Sequence, residues 1–167
     1  MNVNDIYTPL ARSCSRDTNL AEAMGIMWEF DIGALPVVNV EGVLVGVVTD
    51  RDIAVALATR NCRASELRVG DVMSGKTYSC TREDGLKSVL ETMRREQLRR
   101  LPVVDANGIL RGMITINDII QTVQRSKGSK LAGVSTEDVI LAMMAISVPH
   151  RRTKESPRNF QMARMGA

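Results

Sequence analysis

The segment LPVVNVEGVLVGVVTDRDI at 35–53 realigns without a gap on LPVVDANGILRGMITINDI at 101–119, an offset of 101 − 35 = 66 residues. A duplication constrains the fold more than any local propensity, because whatever structure one copy adopts the other must adopt as well. The same offset pairs Val3 with Val69, Asp5 with Asp71, Ser13-Cys14 with Ser79-Cys80, Arg16 with Arg82, Leu20 with Leu86 and Met27 with Met93. The repeat covers about 3–57 and 69–123, which divides the chain into a first copy with its lead-in and linker (1–66), a second copy (67–126) and a C-terminal extension (127–167).

Each copy reads alike. Apolar residues at i, i+3, i+4 and i+7 (Leu20, Ala23, Met24, Met27; Leu86, Val89, Leu90, Met93) predict a helix. LPVV and VLVGVV around Asn39-Val40-Glu41-Gly42, and LPVV and ILRGMIT around Asp105-Ala106-Asn107-Gly108, predict hairpins with a glycine in the turn. A second helix follows each hairpin from about Asp50 and Ile116, and a short strand at 11–14 or 77–80 precedes the first, giving β-α-β-β-α. One unit of ~55 residues is marginal alone, so two copies packed about a pseudo-twofold axis, with two related clefts, are expected. Ser135-Thr136-Glu137-Asp138 caps an apolar run, predicting one further helix at about 136–146 that docks on the body.

The formal charge of +3 sits at one end: residues 150–167 hold five Lys/Arg against one Glu, 5 − 1 = +4, leaving −1 for the rest. The tail reads as a solvated, disordered end. With only 3% aromatics the chain lacks the stacking platforms of single-strand nucleic-acid binders, and a nucleic-acid partner is not expected. No apolar stretch approaches the ~18 residues of a membrane span and the N-terminus lacks a signal-peptide layout, so a cytoplasmic location is expected. Cys14, Cys62 and Cys80 have no CxxC spacing and read as reduced packing residues rather than metal ligands. The one histidine, His150, lies beyond the repeats, and nothing resembles a P-loop or a nucleophile–base pair, so no enzyme and no catalytic cofactor are expected.

LPVV, the glycine turn and G-x-x-T-x-x-D-I, each found twice, together with RVGDVMS at 68–74, resemble the CBS-domain family. The resemblance implies an α/β (α+β) pair of tandem units that acts as a regulatory module. The ligands it implies are adenosine compounds: AMP, ADP or ATP foremost, S-adenosylmethionine or NAD otherwise. A carboxylate can accept hydrogen bonds from both ribose hydroxyls, and a threonine hydroxyl with free helix N–H groups can meet phosphate, which fits Thr49 and Asp52, and Thr115 and Asp118. Thr-x-x-Asp is equally a helix capping box needing no ligand. Arg51 would favour a phosphate chain over its counterpart Asn117. Arg99 and Arg100 either reach phosphates or are solvated at a helix end. By the family's crossed arrangement, Ser13, Cys14, Gly33 and Ala34 would face Thr115 and Asp118, while Ser79, Cys80, Arg99 and Arg100 would face Thr49 and Asp52, with backbone groups reading the adenine edge.

The first helices of the two copies differ. Leu86, Val89, Leu90 and Met93 span an arc of about 100°, enough for one buried face. Leu20, Ala23, Met24, Ile26, Met27, Trp28 and Phe30 span nearer to about 200°, which implies a second neighbour. A homodimer through the Trp28 region, as is common in the family, is one candidate; the helix at 136–146 folding over this stripe is the other. The regulated protein target is unspecified.

Overall fold

The computed structural model describes residues 1–126 and 133–148, so the basic tail and His150 lie outside the described residues. Copy one contains β1 (Thr8–Pro9), α1 (Leu20–Glu29), the hairpin β2 (Ala34–Val38) and β3 (Leu44–Thr49), and α2 (Asp50–Arg60). Copy two contains α3 (Leu86–Glu96), the hairpin β4 (Arg100–Val104) and β5 (Leu110–Thr115), and α4 (Ile116–Arg125), and α5 (Thr136–Ser147) follows.

The hairpins repeat residue by residue, Leu35 opposite Val48 and Leu101 opposite Ile114, each with one register shift, at Val37/Val38 and Val103/Val104. Each turn closes on a glycine of left-handed φ, 79° at Gly42 and 76° at Gly108, a conformation a side chain would penalise. The expected strand at 11–14 and 77–80 narrows to one parallel bridge per copy, Cys14 to Val37 and Cys80 to Val103. In copy one Ser15 has already turned away to bond Thr18, so the ladder ends after a single residue.

Val43 bridges Ile109, its own repeat counterpart, and Leu44 N donates to Gly108 O as Leu110 N donates to Gly42 O. Equivalent residues pairing with each other mark the pseudo-twofold axis between the hairpin turns. Across it the lead-in segments are exchanged. Val3 N bonds Asp84 O of copy two, as Val69 N bonds Thr18 O of copy one. β1 pairs with β5, and Ser74 bridges Val47. Val3 is buried in the core of copy two, while Leu67 and Val69 complete that of copy one. The crossing explains the glycine of G-x-x-T. A Cβ on Gly46 would stand 2.7 Å from Met73 Sδ, and one on Gly112 would fall on the Thr8 carbonyl oxygen.

α5 packs against α3 and α4, with Val139, Ala142 and Ile146 entering the core that holds Leu86, Val89, Leu90 and Met93. This corrects the expectation that α3 needs a single neighbour. It also removes the alternative in which α5 covers α1, because Trp28 remains 90% exposed and Met24 and Phe30 are exposed beside it.

Candidate functional site

Thr49 and Thr115 end the second hairpin strands and start α2 and α4. Each box closes fully. The backbone N–H and Oγ1 of Thr49 donate to Asp52 Oδ2 at 3.0 and 2.7 Å, and Asp52 N donates back to Oγ1 at 3.1 Å. In copy two the same bonds to Asp118 Oδ2 measure 2.7 and 2.8 Å, with the return bond at 3.3 Å. All of this uses one carboxylate oxygen. Oδ1 of each aspartate makes no hydrogen bond among the described residues, so cap and ribose acceptor are compatible roles for one side chain. Ser135 and Asp138 build the same box at the start of α5, away from either hairpin, so the box alone marks a helix start and not a ligand.

The pre-proline residues supply the cross-copy contact. Arg100, at the start of β4, is half-buried and brings Nη2 within 3.8 Å of where a Cβ on Gly33 would stand; Asp50 Oδ2 lies 3.1 Å from the same point. A residue larger than glycine at 33 would therefore fill the space between the Asp50 carboxylate and a guanidinium from the other copy. Burial lowers the Arg100 pKa, the Asp50 carboxylate opposes that, and neighbouring Arg99 adds to it. A phosphate would relieve both the burial and the Arg99 repulsion. Arg99, Arg51 and Asn117 are exposed, and Ala34 is buried in β2.

Cys14 and Cys80 are buried packing residues, as expected, whereas Cys62 is exposed and does not pack. Each buried cysteine spends its amide and carbonyl on the parallel bridge: Cys14 N donates to Pro36 O while Cys14 O accepts from Val38 N, and Cys80 does the same with Pro102 and Val104. Their thiols turn inward onto the Pro36 and Pro102 carbonyls at 4.0 and 3.8 Å. Burial, with Glu22 next, pushes the Cys14 thiol up to about 11, and burial with Asp84 pushes Cys80 up to about 12. Neither offers a free amide to an adenine edge. Exposed Ser79 is the neighbour that keeps this reading open. Half-buried Ser13 lines a cavity of about 280 Å³ with Arg82 and Arg111, whose lining includes neither Thr115 nor Asp118. Arg82 escaped notice in the sequence because a polar repeat position looks like a solvated one; its pairing with Arg16 across the offset was the available signal. Among the described residues no cluster of His, Cys, Asp or Glu could hold a metal ion, and no helix is long and apolar enough to cross a membrane.

The description of the CBS domain matches this chain twice, over 3–59 and 69–125. The chain belongs to the CBS-domain family. It is 34% identical over 140 residues to the CBS domain-containing protein YhcV of Bacillus subtilis, covering 83% of this chain and 98% of that one. It is 33% identical over 120 residues to inosine-5'-monophosphate dehydrogenase of Mycobacterium tuberculosis, but that match spans only 21% of the dehydrogenase, so none of its catalysis transfers with the likeness. The CBS domain pair of protein MJ0100, solved with 5'-methylthioadenosine and S-adenosyl-L-methionine, superposes with a TM-score of 0.69 at 25% identity over 75% of this chain and 98% of that one. CBSX2 in complex with AMP superposes at 0.65, with 26% identity over 75% and 98% of the two chains.

Proposed function

We propose that this CBS pair is a regulatory sensor, without catalytic activity or catalytic cofactor, that binds an adenosine-containing ligand between its copies and reports occupancy to a protein target in the cytoplasm. AMP, ADP or ATP is the favoured ligand, ahead of S-adenosylmethionine or NAD. The observation that carries this is the cross-copy cradle at Gly33, where the half-buried Arg100 guanidinium of one copy meets the α2 start of the other. Asp52 and Asp118 would offer Oδ1 to the ribose while Oδ2 holds the cap. Thr49, Arg51, Arg99, Arg100 and Ser79 would surround one ligand, and Thr115, Asn117, Gly33 and Ala34 the other, the two groups meeting where Arg100 approaches Gly33. The ligands in the MJ0100 and CBSX2 complexes support the class, an adenosine moiety, and not a choice within it.

A ligand bound by the native state alone adds about 2.7 kcal/mol at a hundredfold excess over its Kd. For a chain of this size Tm should rise by roughly 5–10 °C in a thermal-shift screen of AMP, ADP, ATP, S-adenosylmethionine and NAD. If none at millimolar concentration moves the curve, the clefts are unoccupied and the fold serves as an interaction scaffold.

The sensor is also read as a homodimer through α1. Trp28 is 90% exposed with Met24 and Phe30 beside it, and the corresponding face of copy two is taken by α5, so the contact falls to copy one. Light scattering should show a dimer that Trp28→Glu converts to a folded monomer; a wild-type monomer at micromolar concentration refutes the contact.

A further inference from the structure

At the turn end of the molecule the two lead-in segments differ. In copy one the chain after β1 arches over the second hairpin, with Leu10 N donating to Arg111 O at 3.2 Å and Leu10 itself held at a left-handed φ of 54°. The arch borders an open cavity of about 280 Å³. Leu110 opens β5 and Thr115 ends it, so at ~3.3 Å per residue Leu110 stands about 16 Å from the Thr115 cap, and neither Thr115 nor Asp118 lines the cavity.

The lining combines opposite chemistries. Val38, Ile109 and Leu110 make apolar walls, while Arg82 and Arg111 bring two guanidinium groups, Ser13 brings a hydroxyl, and no carboxylate lines the space. Arg111 is already paired with Asp105. Arg82 makes no ion pair among the described residues, its guanidinium carbon lies 5.4 Å from the centre of the Tyr7 ring, and its Nε is buried without an acceptor. Nε itself is closed to the cavity, so the contact with an oxyanion falls to the Arg82 Nη atoms, which no hydrogen bond or ion pair occupies among the described residues. Copy one has no equivalent: Arg16 is exposed, and Val45 stands where copy two has Arg111.

We propose that this cavity is a second ligand site that takes a small organic oxyanion, its charged end on Arg82 and Arg111 and its short apolar part against Val38, Ile109 and Leu110. The volume lies at the lower edge of the range of about 300–1,000 Å³ for ligand pockets, which suits a small occupant. The site stands independently of whether the clefts bind adenosine compounds. Phosphate and carboxylate share the required chemistry, and separate titrations tell them apart.

Amide NMR of the full chain titrated with inorganic phosphate, and separately with butyrate, tests the assignment. At least one anion should shift the Leu10, Ser13 and Ile109 amides saturably in the millimolar range. Arg82→Gln should weaken that binding about tenfold or more, the loss of a charge-assisted hydrogen bond. Arg82→Lys, which keeps the charge but not the Nη pair, should fall between, and covers the case in which Arg82→Gln fails to fold. Asp118→Ala should leave the response unchanged. The site is refuted if neither anion moves these amides, if binding survives Arg82→Gln or Arg82→Lys undiminished, or if the shifts map to Thr49 and Thr115 instead.

Discussion

Helices α1 and α3 hold equivalent places in the repeat, yet the narrow apolar stripe of α3 is covered by a further helix, α5, while the wide stripe of α1 meets chiefly α2, its own sheet and the short linker turn Ala64–Glu66. α3 lies between its own sheet and α5, whereas α1 leaves Trp28, Met24 and Phe30 at the surface. Stripe width therefore does not decide which helix gains a partner inside the chain. The helix ends also differ in their polar groups. Gln97, the left-handed C-cap of α3, donates Nε2 to Ala145 O at 2.9 Å and to Val148 O at 3.3 Å, reinforcing the end of α5, where Val148 N also donates to Ala145 O. Its counterpart Asp31 has the same left-handed backbone but a carboxylate that cannot donate. Arg94 and Arg95 replace Trp28 and Glu29 there, and cations suit the negative end of α5 where Glu29 would oppose it.

The largest effect should come from the exchanged lead-ins, where the copies are alike in motif but not in tolerance. Gly112→Ala places a Cβ on the Thr8 carbonyl oxygen and the Tyr7 ring, and should cost roughly 3 kcal/mol or more, enough to detach β1. Gly46→Ala meets mainly the flexible Met73 side chain, with Ser74 O at 3.0 Å, and should cost nearer 1–2 kcal/mol. Urea denaturation of both variants ranks them; equal losses would mean that the two crossings are equally rigid.

Gln97→Asp, which gives copy two the cap residue of copy one, should cost about 1–3 kcal/mol, because two α5 carbonyls lose a donor and face a carboxylate. Hydrogen exchange should show α5 opening while α3 stays protected. If α5 protection is unchanged, apolar packing alone selects α3 and Gln97 plays no part in the choice.

The buried thiols should behave alike in both copies. Cys14 at about 11 and Cys80 at about 12 stay protonated well above the pH at which an unfolded thiol ionises, about 8.5. The folded state then holds more protons than the unfolded one, so this contribution to stability is intact below about pH 8.5 and is lost as pH rises toward 11–12. In native protein at pH 8 a thiol reagent should label exposed Cys62 alone. Labelling of Cys14 but not Cys80 would show copy one opening first.

The hairpins, the four repeat helices and the start of α5 were legible because each follows from local chemistry: β-branched runs beside a turn glycine, 3.6-residue periodicity, and Thr or Ser three residues before Asp. What escaped depends on residues far apart in sequence. The strand expected around Cys14 shrank to one bridge because Ser15 bonds Thr18 instead of extending the ladder. The exchange of Val3 and Val69 left no periodicity to read, since each sits in a single 3₁₀ turn; the glycine three residues before each capping threonine was its only trace. The sequence suggested Arg100 as a phosphate ligand but could not show the Gly33 space it shares with Asp50. Nor could it show that the Cys14 and Cys80 amides are consumed by the sheet.

Calorimetric titration of ATP and adenosine into the wild type, Arg51→Ala and the double variant Asp52→Ala/Asp118→Ala tests the sensor reading most directly. Each aspartate variant gives up a cap worth about 1 kcal/mol, so the titrations belong well below the melting transition, with folding checked by circular dichroism. The account predicts that the double variant loses affinity for both compounds by about tenfold or more, the ribose contact being charge-assisted. Arg51→Ala should keep adenosine binding and lose part of the preference for ATP. Undiminished binding to a folded double variant, or an ATP-to-adenosine ratio unchanged by Arg51→Ala, would contradict the roles assigned to these residues.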